Sequence, residues 1–369
     1  MTIKPRALAF GYAAFVIAAL ALSLRLLQIQ GTRSDWHDFD VFYRAAKAAL
    51  AGGPIHTITG KYQLPFWYPP WIAWSFIPFA AFTRDVGLLL YQAASLVGAI
   101  GIIHILSRYH NPEIRLLDEL FILAMAIPLS FQVFTVGQME FIFLAVIVAM
   151  MLAAEHKKHL LVGILYPFLL AKPHLVVLFT LFLFWRAGKR ALLTTLACIG
   201  LMLLVATVLR PSWPLEMLTV LQRSGPRTDG LEFTTLAGLL GREENWLGVA
   251  NLPIAFGVFC AGLILLWKVR RLSTVPLLSL ALALSLLSAP RAYAYDLPLL
   301  LPALIWVTAA GFRSTLWIWI VAGLMPLLAA YVSSSYLVTL MVCAFGAWKA
   351  LKEAGRESGK MLPAQVGMP

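Results

Sequence analysis

Three carboxylates stand close together where the chain leaves its first long apolar run. Asp35, Asp38 and Asp40 fall within six residues, at the start of a segment from 36 to 51 whose composition favours a helix. A carboxylate at a helix entry can cap the exposed backbone N–H groups, and Asp35 or Asp38 could do so. A carboxylate in the same place can also act as a general base for a hydroxyl group. The spacing alone leaves both interpretations open.

Three short polar islands interrupt apolar sequence further along the chain. They are the segments 137–140 (GQME), 172–174 (KPH) and 290–296 (PRAYAYD). Ionisable residues inside apolar segments are costly to bury, so they are functional candidates by default. Lys172, His174 and Arg291 could bind a phosphate. Glu140 and Asp296 could pair with these cations or accept hydrogen bonds from substrate hydroxyls. Structural ion pairs between helices are the competing interpretation.

Neither the acidic residues nor the cysteines form a metal-binding pattern. His37, Asp38 and Asp40 are too crowded to share one ion, and the sequence offers no second half of such a site. The three cysteines lie singly in apolar runs, without the CxxC spacing of a zinc or redox site. We therefore expect no metal and no cofactor.

The composition excludes a soluble protein. The chain has 369 residues, of which 61% are hydrophobic and 12% charged, whereas about a quarter of the residues in soluble domains are charged. Apolar runs such as 8–24, 191–208 and 254–266 approach the length of about 20 residues that crosses a bilayer. The sequence predicts an all-α polytopic membrane protein, a single domain over 1–369 with about 11 to 13 transmembrane helices.

The charge distribution predicts an orientation in the membrane. The net charge is +12, but the basic residues gather at the ends of apolar runs, which argues against a nucleic-acid partner. The basic loops 155–159, 186–190 and 268–271 are predicted to be cytoplasmic. In the two longer polar segments, 30–66 and 210–250, acids roughly balance bases. We therefore place both on the opposite, extracytoplasmic side.

Two apolar segments are not expected to cross the bilayer as regular helices. About 26 residues separate the basic loops 155–159 and 186–190, so the chain must turn back near Lys172 if both loops face the cytoplasm. Each arm would measure roughly 18 Å, short of a 30 Å bilayer core. A single tilted helix is the alternative. The segment 67–83 is the second suspect, because Pro69, Pro70 and Pro78 interrupt it.

The motifs follow one another in an order that is itself informative. They are D-F-x-V-x-Y-x-A-A from Asp38, the pair Gly52-Gly53, Y-P-P from Tyr68, G-Q at Gly137, K-P at Lys172 and Y-x-Y-D ending at Asp296. This series resembles glycosyltransferase family 87, whose members are polyprenol-phosphate-mannose-dependent α-mannosyltransferases of the GT-C superfamily. The resemblance implies a GT-C-type fold in the plasma (inner) membrane, with its active site on the periplasmic or extracellular side.

The resemblance also implies residue roles and partners. Asp38 matches the family's catalytic aspartate and would be the general base of an inverting transfer. The donor would be a polyprenyl-phosphate sugar, with mannose the usual sugar, and the acceptor a glycolipid or glycan in contact with the lipid bilayer. Lys172 and Arg291 would stabilise the charge on the leaving phosphate. The residues expected to bind substrate are Asp40, Tyr43, Tyr68, Gln138, Glu140, Lys172, His174, Arg291 and Asp296.

Some positions depart from the family pattern, and other functions compete. Met139 and Glu140 stand where the family often has a polar residue after G-Q, and His174 stands where glutamine is common. These departures concern which sugar is handled. A transporter or flippase for a lipid-linked sugar is the alternative, although the sequence has no internal repeat of the kind many transporters show. A scaffold without catalysis would leave Lys172 and Asp296 unexplained.

Overall fold

The structure is a computed structural model in which 14 α-helices make up nearly all of the described chain. It describes residues 37–56, 58–59, 64–223, 247–290, 292–309, 317–322 and 335–360. The apolar run 8–24, the residues Asp35 and Arg291, and most of the second polar segment lie outside this part. Within it, the predicted all-α architecture is confirmed.

The predicted helix after the acidic residues is present as α1 (His37–Leu50). Phe39, Phe42 and Ala46 recur on one face and are almost fully buried, which fixes that face against the protein. The helix ends at Leu50, and Gly52 follows it with a φ of +67°, which suits a residue without Cβ. The amide of Gly53 donates to the carbonyl of Ala48 over 2.8 Å and closes the last turn. A two-residue antiparallel pair follows, β1 (Ile58–Thr59) with β2 (Leu64–Pro65).

The proline-rich segment is not a regular span, as the sequence predicts. Tyr68 and Pro69 are outside any helix, and Pro69 has an extended ψ of 152°. Pro70 opens the next helix at the position where a missing N–H costs nothing. Two short helices follow, α2 (Pro70–Ser75) and α3 (Ile77–Ala80), before the long α4 (Arg84–His110).

A sharp corner separates the next helices and carries the G-Q motif. These helices are α5 (Leu116–Leu129), α6 (Phe131–Val136) and α7 (Glu140–Glu155). Gly137 ends α6 in the left-handed region at φ 78°, where a side chain would be strained. The corner therefore turns the chain so that Gln138 and Glu140 lie at the start of α7.

The predicted hairpin around Lys172 is confirmed, and the single tilted helix is not found. The first arm is α8 (His159–Leu165) with a 3₁₀ turn (Tyr166–Ala171), and after a second turn (Pro173–Leu175) the chain returns in α9 (Val177–Leu209). The hydroxyl of Tyr166 lies 3.2 Å from that of Thr180, and its ring centroid 5.0 Å from that of Phe184. These contacts join the two arms. Gly188 then kinks α9 with φ 78° and ψ 178°.

The C-terminal half surrounds one fully buried helix. The elements are α10 (Trp213–Arg223), α11 (Leu247–Lys268), α12 (Thr274–Ser288), a 3₁₀ segment (Ala294–Leu300), α13 (Leu301–Ala309) and α14 (Ser335–Lys360). Every residue of α12 is buried, as expected of a helix that is apolar on all sides. It packs against α9, α11, α13 and α14, so it lies at the centre of the bundle.

Two of the described helices, α4 and α9, are long and apolar enough to cross a membrane. Apolar side chains on both are exposed, including Leu89 at 66% and Val208 at 70%. Such surfaces are stable when they face lipid rather than water. Four further apolar helical segments are shorter, so the total of 11 to 13 spans stays a prediction.

Candidate active site

Asp38 lies in the first turn of α1 and contacts the G-Q corner, 100 residues further along the chain. The side-chain amide of Gln138 donates to Oδ2 of Asp38 over 2.5 Å. Asp38 is half-buried, and α1 has already begun at His37. Its carboxylate thus makes a tertiary contact with Gln138, in addition to any capping of the helix N-terminus.

The close approach of α1 to the corner requires a glycine at position 137. A Cβ on Gly137 would lie 2.5 Å from Cβ of Phe39 and 3.1 Å from its backbone nitrogen. On the other side of the corner, the hydroxyl of the buried Tyr91 donates to the backbone carbonyl of Gln138. The ring of Tyr91 also lies 5.3 Å from that of Phe39. Gln138 is therefore held in position from both sides.

The three polar islands of the sequence meet at Lys172. Its ammonium group donates to Oε1 of Glu140 and, over 2.8 Å, to Oδ1 of Asp296. The other oxygen of Asp296 accepts the backbone N–H of Tyr293 at 2.8 Å. The Lys172 nitrogen also lies 4.5 Å from the ring centroid of Tyr295, within cation–π range. All three charged side chains are at most 6% exposed. The predicted pairing of these acids with a cation is confirmed.

Two acceptor atoms near this cluster have no hydrogen-bond partner among the described residues. They are Oε2 of Glu140 and Oε1 of Gln138, and the two residues are 0% and 4% exposed. A buried acceptor without a partner costs free energy, and such atoms are uncommon in native proteins. Hydroxyl groups of a substrate would supply the missing donors.

Tyr68 and Tyr295 connect Asp38 with the Lys172 cluster. The phenol of Tyr68 lies close enough to interact with the charges of four side chains, those of Asp38, Glu140, Lys172 and Asp296. Tyr295 is likewise close enough to interact electrostatically with Asp38 and Tyr68. The Y-P-P segment is anchored nearby by Trp71, whose indole N–H donates to the carbonyl of Pro167 over 2.9 Å. Asp38, the Y-P-P segment and the three islands therefore form one continuous polar region.

Other predicted site residues contact different parts of the protein. Asp40 accepts a 2.7 Å hydrogen bond from Arg84 at the start of α4. The hydroxyl of Tyr43 donates to the carbonyl of Phe82 over 2.9 Å. Both residues therefore tie α1 to the chain around the start of α4. His174 is exposed in the turn after Lys172. Arg291 lies outside the described residues.

Sequence analysis missed Tyr91 and left Tyr295 out of the substrate-binding set. Tyr91 is a lone phenol in the apolar helix α4, and a polar tip in such a helix needs a buried partner. That signal could have marked it. Its partner, a backbone carbonyl 47 residues away, could not be inferred from the sequence.

The model of glycosyltransferase family 87 matches residues 66–292. The chain belongs to this family. Membership implies a membrane enzyme of the GT-C type that transfers a sugar between a donor and an acceptor. The matched range contains the Y-P-P, G-Q and K-P motifs, whereas Asp38 lies 28 residues before it and Asp296 four residues after it. No curated protein and no solved structure matches the chain.

The site of this glycosyltransferase combines a carboxylate with many hydrogen-bond acceptors. In the described part of the chain, no group of three or more histidine, cysteine or acidic side chains is placed to hold a metal ion. Asp38 can accept a proton from a hydroxyl group. Glu140 and Gln138 can orient other hydroxyls, and Lys172 can contribute positive charge.

Proposed function

We propose that this family 87 protein moves a sugar, with mannose as the first candidate, from a polyprenyl-phosphate donor to a glycolipid or glycan acceptor. Asp38 is the general base. The observation that carries the proposal is the 2.5 Å hydrogen bond from Gln138 to Asp38, beside the buried cluster of Lys172, Glu140 and Asp296. The reaction takes place on the periplasmic or extracellular side of the plasma (inner) membrane.

The reaction is a single displacement with inversion. Oδ1 or Oδ2 of Asp38 takes the proton of an acceptor hydroxyl. At the same time the oxygen of this hydroxyl forms a bond to the anomeric carbon of the donor sugar. The bond from this carbon to the phosphate oxygen breaks at the same time, and the electron pair leaves with the polyprenyl phosphate. A β-linked donor gives an α-linked product. The phosphate leaves as an anion and needs no proton.

Positive charge near the leaving oxygen lowers the barrier. A lysine ammonium has three N–H donors, and Lys172 uses two of them for Glu140 and Asp296. In our proposal the third faces a phosphate oxygen, together with the guanidinium of Arg291. The unpartnered oxygens of Gln138 and Glu140 accept hydrogen bonds from sugar hydroxyls.

Transfer of radiolabelled mannose from a polyprenyl-phosphate donor to a glycolipid acceptor in detergent tests the proposal. The wild-type protein is expected to label the acceptor. Asp38→Asn keeps the size of the side chain but loses the base, so transfer should fall about 10²- to 10⁴-fold. Glu113→Gln, at an exposed position before α5, is the matched control and should transfer normally.

Two outcomes would contradict the assignment. If Asp38→Asn transfers normally and Asp40→Asn does not, the base is Asp40. If folded wild-type protein labels no acceptor but moves the intact labelled lipid across a vesicle membrane, the protein is a flippase.

A further inference from the structure

A second polar cluster lies outside the Asp38 site, between the end of α1 and the start of α10. It consists of His56, Arg210, Trp213 and Glu216, here called the outer cluster. Nη1 of Arg210 donates to the carbonyl of Gly52 over 3.1 Å. The ring centroids of His56 and Trp213 lie 6.1 Å apart. The cluster thus joins the two polar segments that the charge pattern places on one side of the membrane.

His56 presents an unpartnered acceptor to this cluster. Its Nε2 lies 3.0 Å from the carbonyl of Tyr68, and because a carbonyl only accepts, Nε2 carries the proton. In the neutral ring Nδ1 is then an acceptor, and it has no partner among the described residues although His56 is only 4% exposed. Burial lowers the pKa of His56 below its ordinary value, so the ring stays neutral at pH 7.

Glu216 presents a second unpartnered acceptor. Its Oε1 accepts from Nε of Arg210 at 2.8 Å and from the hydroxyl of Ser212 at 2.7 Å. Its Oε2 is buried and has no hydrogen-bond partner in the part of the chain that the structure describes. Three of the five N–H donors of Arg210 face Glu216 and the carbonyl of Gly52. The open positions on His56 and Glu216 are acceptors.

This pattern selects the chemistry of a ligand. A phosphodiester offers only acceptor oxygens, so it cannot donate hydrogen bonds to these two acceptors. A sugar ring offers hydroxyl donors, and its C–H face suits the half-buried ring of Trp213. Arg210 and Glu216 keep 23% and 17% of their side chains exposed, so the outer cluster reaches the surface.

We propose that the outer cluster is a second sugar subsite, in which Nδ1 of His56 and Oε2 of Glu216 accept hydrogen bonds from two hydroxyls of one sugar ring. That this sugar belongs to the acceptor rests on the proposed function. Gly52, which Arg210 contacts, lies about 20 Å along α1 from Asp38. In this proposal the acceptor extends beyond the sugar that is modified. The hydrogen bond from His56 to Tyr68 links the subsite to the Y-P-P segment.

Saturation-transfer difference NMR on the full-length protein in detergent tests the subsite. The probes are the methyl glycosides of mannose, glucose and arabinose and a mannose disaccharide. The wild-type protein is expected to transfer saturation to at least one of them. His56→Phe keeps an aromatic ring of similar size but removes both ring nitrogens, so the Kd should rise about tenfold. Glu216→Gln should have a similar effect, and Glu113→Gln none.

The remaining variants distinguish a failure of this inference from a failure of the proposed function. Asp38→Asn should keep the Kd of the bound probe and lose transfer, which supports a subsite distinct from the base. If the Kd rises in Asp38→Asn but not in His56→Phe or Glu216→Gln, the probe binds at the Asp38 site and the inference is wrong. It is also wrong if the wild-type protein binds none of the probes. Trp213→Phe, which keeps an aromatic ring, should weaken binding less than Trp213→Ala; equal binding in both would contradict the role of the ring.

Discussion

Gly137 sets the distance between the proposed base and the amide that orients it. Its φ of 78° and its contact with Phe39 both exclude a side chain. Asp38 is only one residue away from Phe39, so any displacement there moves the carboxylate. The position of Asp38 thus depends on a residue 99 positions later that carries no functional group.

Gly137→Ala should reduce transfer without unfolding the protein. The new methyl group must push α1 away from the corner, and a displacement of about 1 Å at a reacting group costs about 10²-fold in rate. The measurement is the transfer rate, with thermal unfolding in the same detergent. Gly101→Ala in α4, where a Cβ meets nothing within 4 Å, is the control. Normal transfer by Gly137→Ala would show that the contact with Gln138 does not position the base.

Lys172→Met should destabilise the protein and weaken donor binding. The substitution leaves Glu140 and Asp296 buried without their cation, and removing one partner of a buried ion pair costs about 3–5 kcal/mol. The midpoint of thermal unfolding should fall clearly, whereas Lys158→Met at an exposed position should leave it unchanged. Protein that is folded and binds donor as the wild type does would contradict both roles of Lys172.

The hairpin of α8 and α9 places Lys172, and its packing leaves no spare room. A Cβ on Gly163 would lie 2.5 Å from Cγ2 of Thr194 and 2.9 Å from its backbone carbon. Thr194 follows the kink at Gly188. The helix α8 therefore contacts the part of α9 beyond the basic segment 186–190. The parts of α9 before and after the kink therefore both contact the first arm of the hairpin.

Gly163→Ala should lower the thermal stability. Overpacking of a close contact costs about 1–3 kcal/mol, because the backbone of Thr194 must move. Gly200→Ala lies in the same α9 and meets nothing within 4 Å, so its melting temperature should be unchanged or slightly higher. The comparison uses thermal unfolding of both purified variants. Equal melting temperatures for the two would mean that α8 does not pack on α9 at this point.

Local signals predicted the elements that carry the site. Prolines marked the break at Tyr68–Pro70, the paired glycines marked the end of α1, and basic loops marked the hairpin. Sequence analysis did not find α10, although Ser212 and a proline at its start are helix-entry signals. It flagged Glu140, Lys172 and Asp296 but could not give their distances, because these residues are 32 and 124 positions apart and meet only through tertiary packing. The contact of Gln138 with Asp38 could not be inferred from the sequence for the same reason.

In the described part of the chain, α12 lies at the centre of the helix packing, and apolar side chains of α4 and α9 are exposed. Burial on all sides of α12 means that protein, not lipid, surrounds it. Exposed Leu89 and Val208 mark surfaces that match a bilayer interior. The charges of the basic loops and of the two polar segments predict the orientation across the membrane, with Asp38 opposite Lys158.

Cysteine labelling of intact cells tests this orientation. In a variant with Cys198, Cys260 and Cys343 replaced by serine, a single cysteine at Lys47 should react with a membrane-impermeant maleimide. A single cysteine at Lys158 should react only after the membrane is opened. Both positions are exposed, so accessibility within the protein is matched. Equal labelling of the two in intact cells would contradict the orientation.

The Lys172 cluster also imposes an order on biosynthesis. Glu140 enters the membrane 32 residues before Lys172, whereas Asp296 follows 124 residues later. At about 5–20 residues per second the ribosome needs roughly 6–25 s to make that stretch. A lone lysine in lipid is costly during this interval, so Glu140 must neutralise Lys172 as the hairpin inserts. Asp296 completes the cluster when the C-terminal helices arrive, and the nascent protein is therefore unable to turn over substrate until most of the chain has been translated.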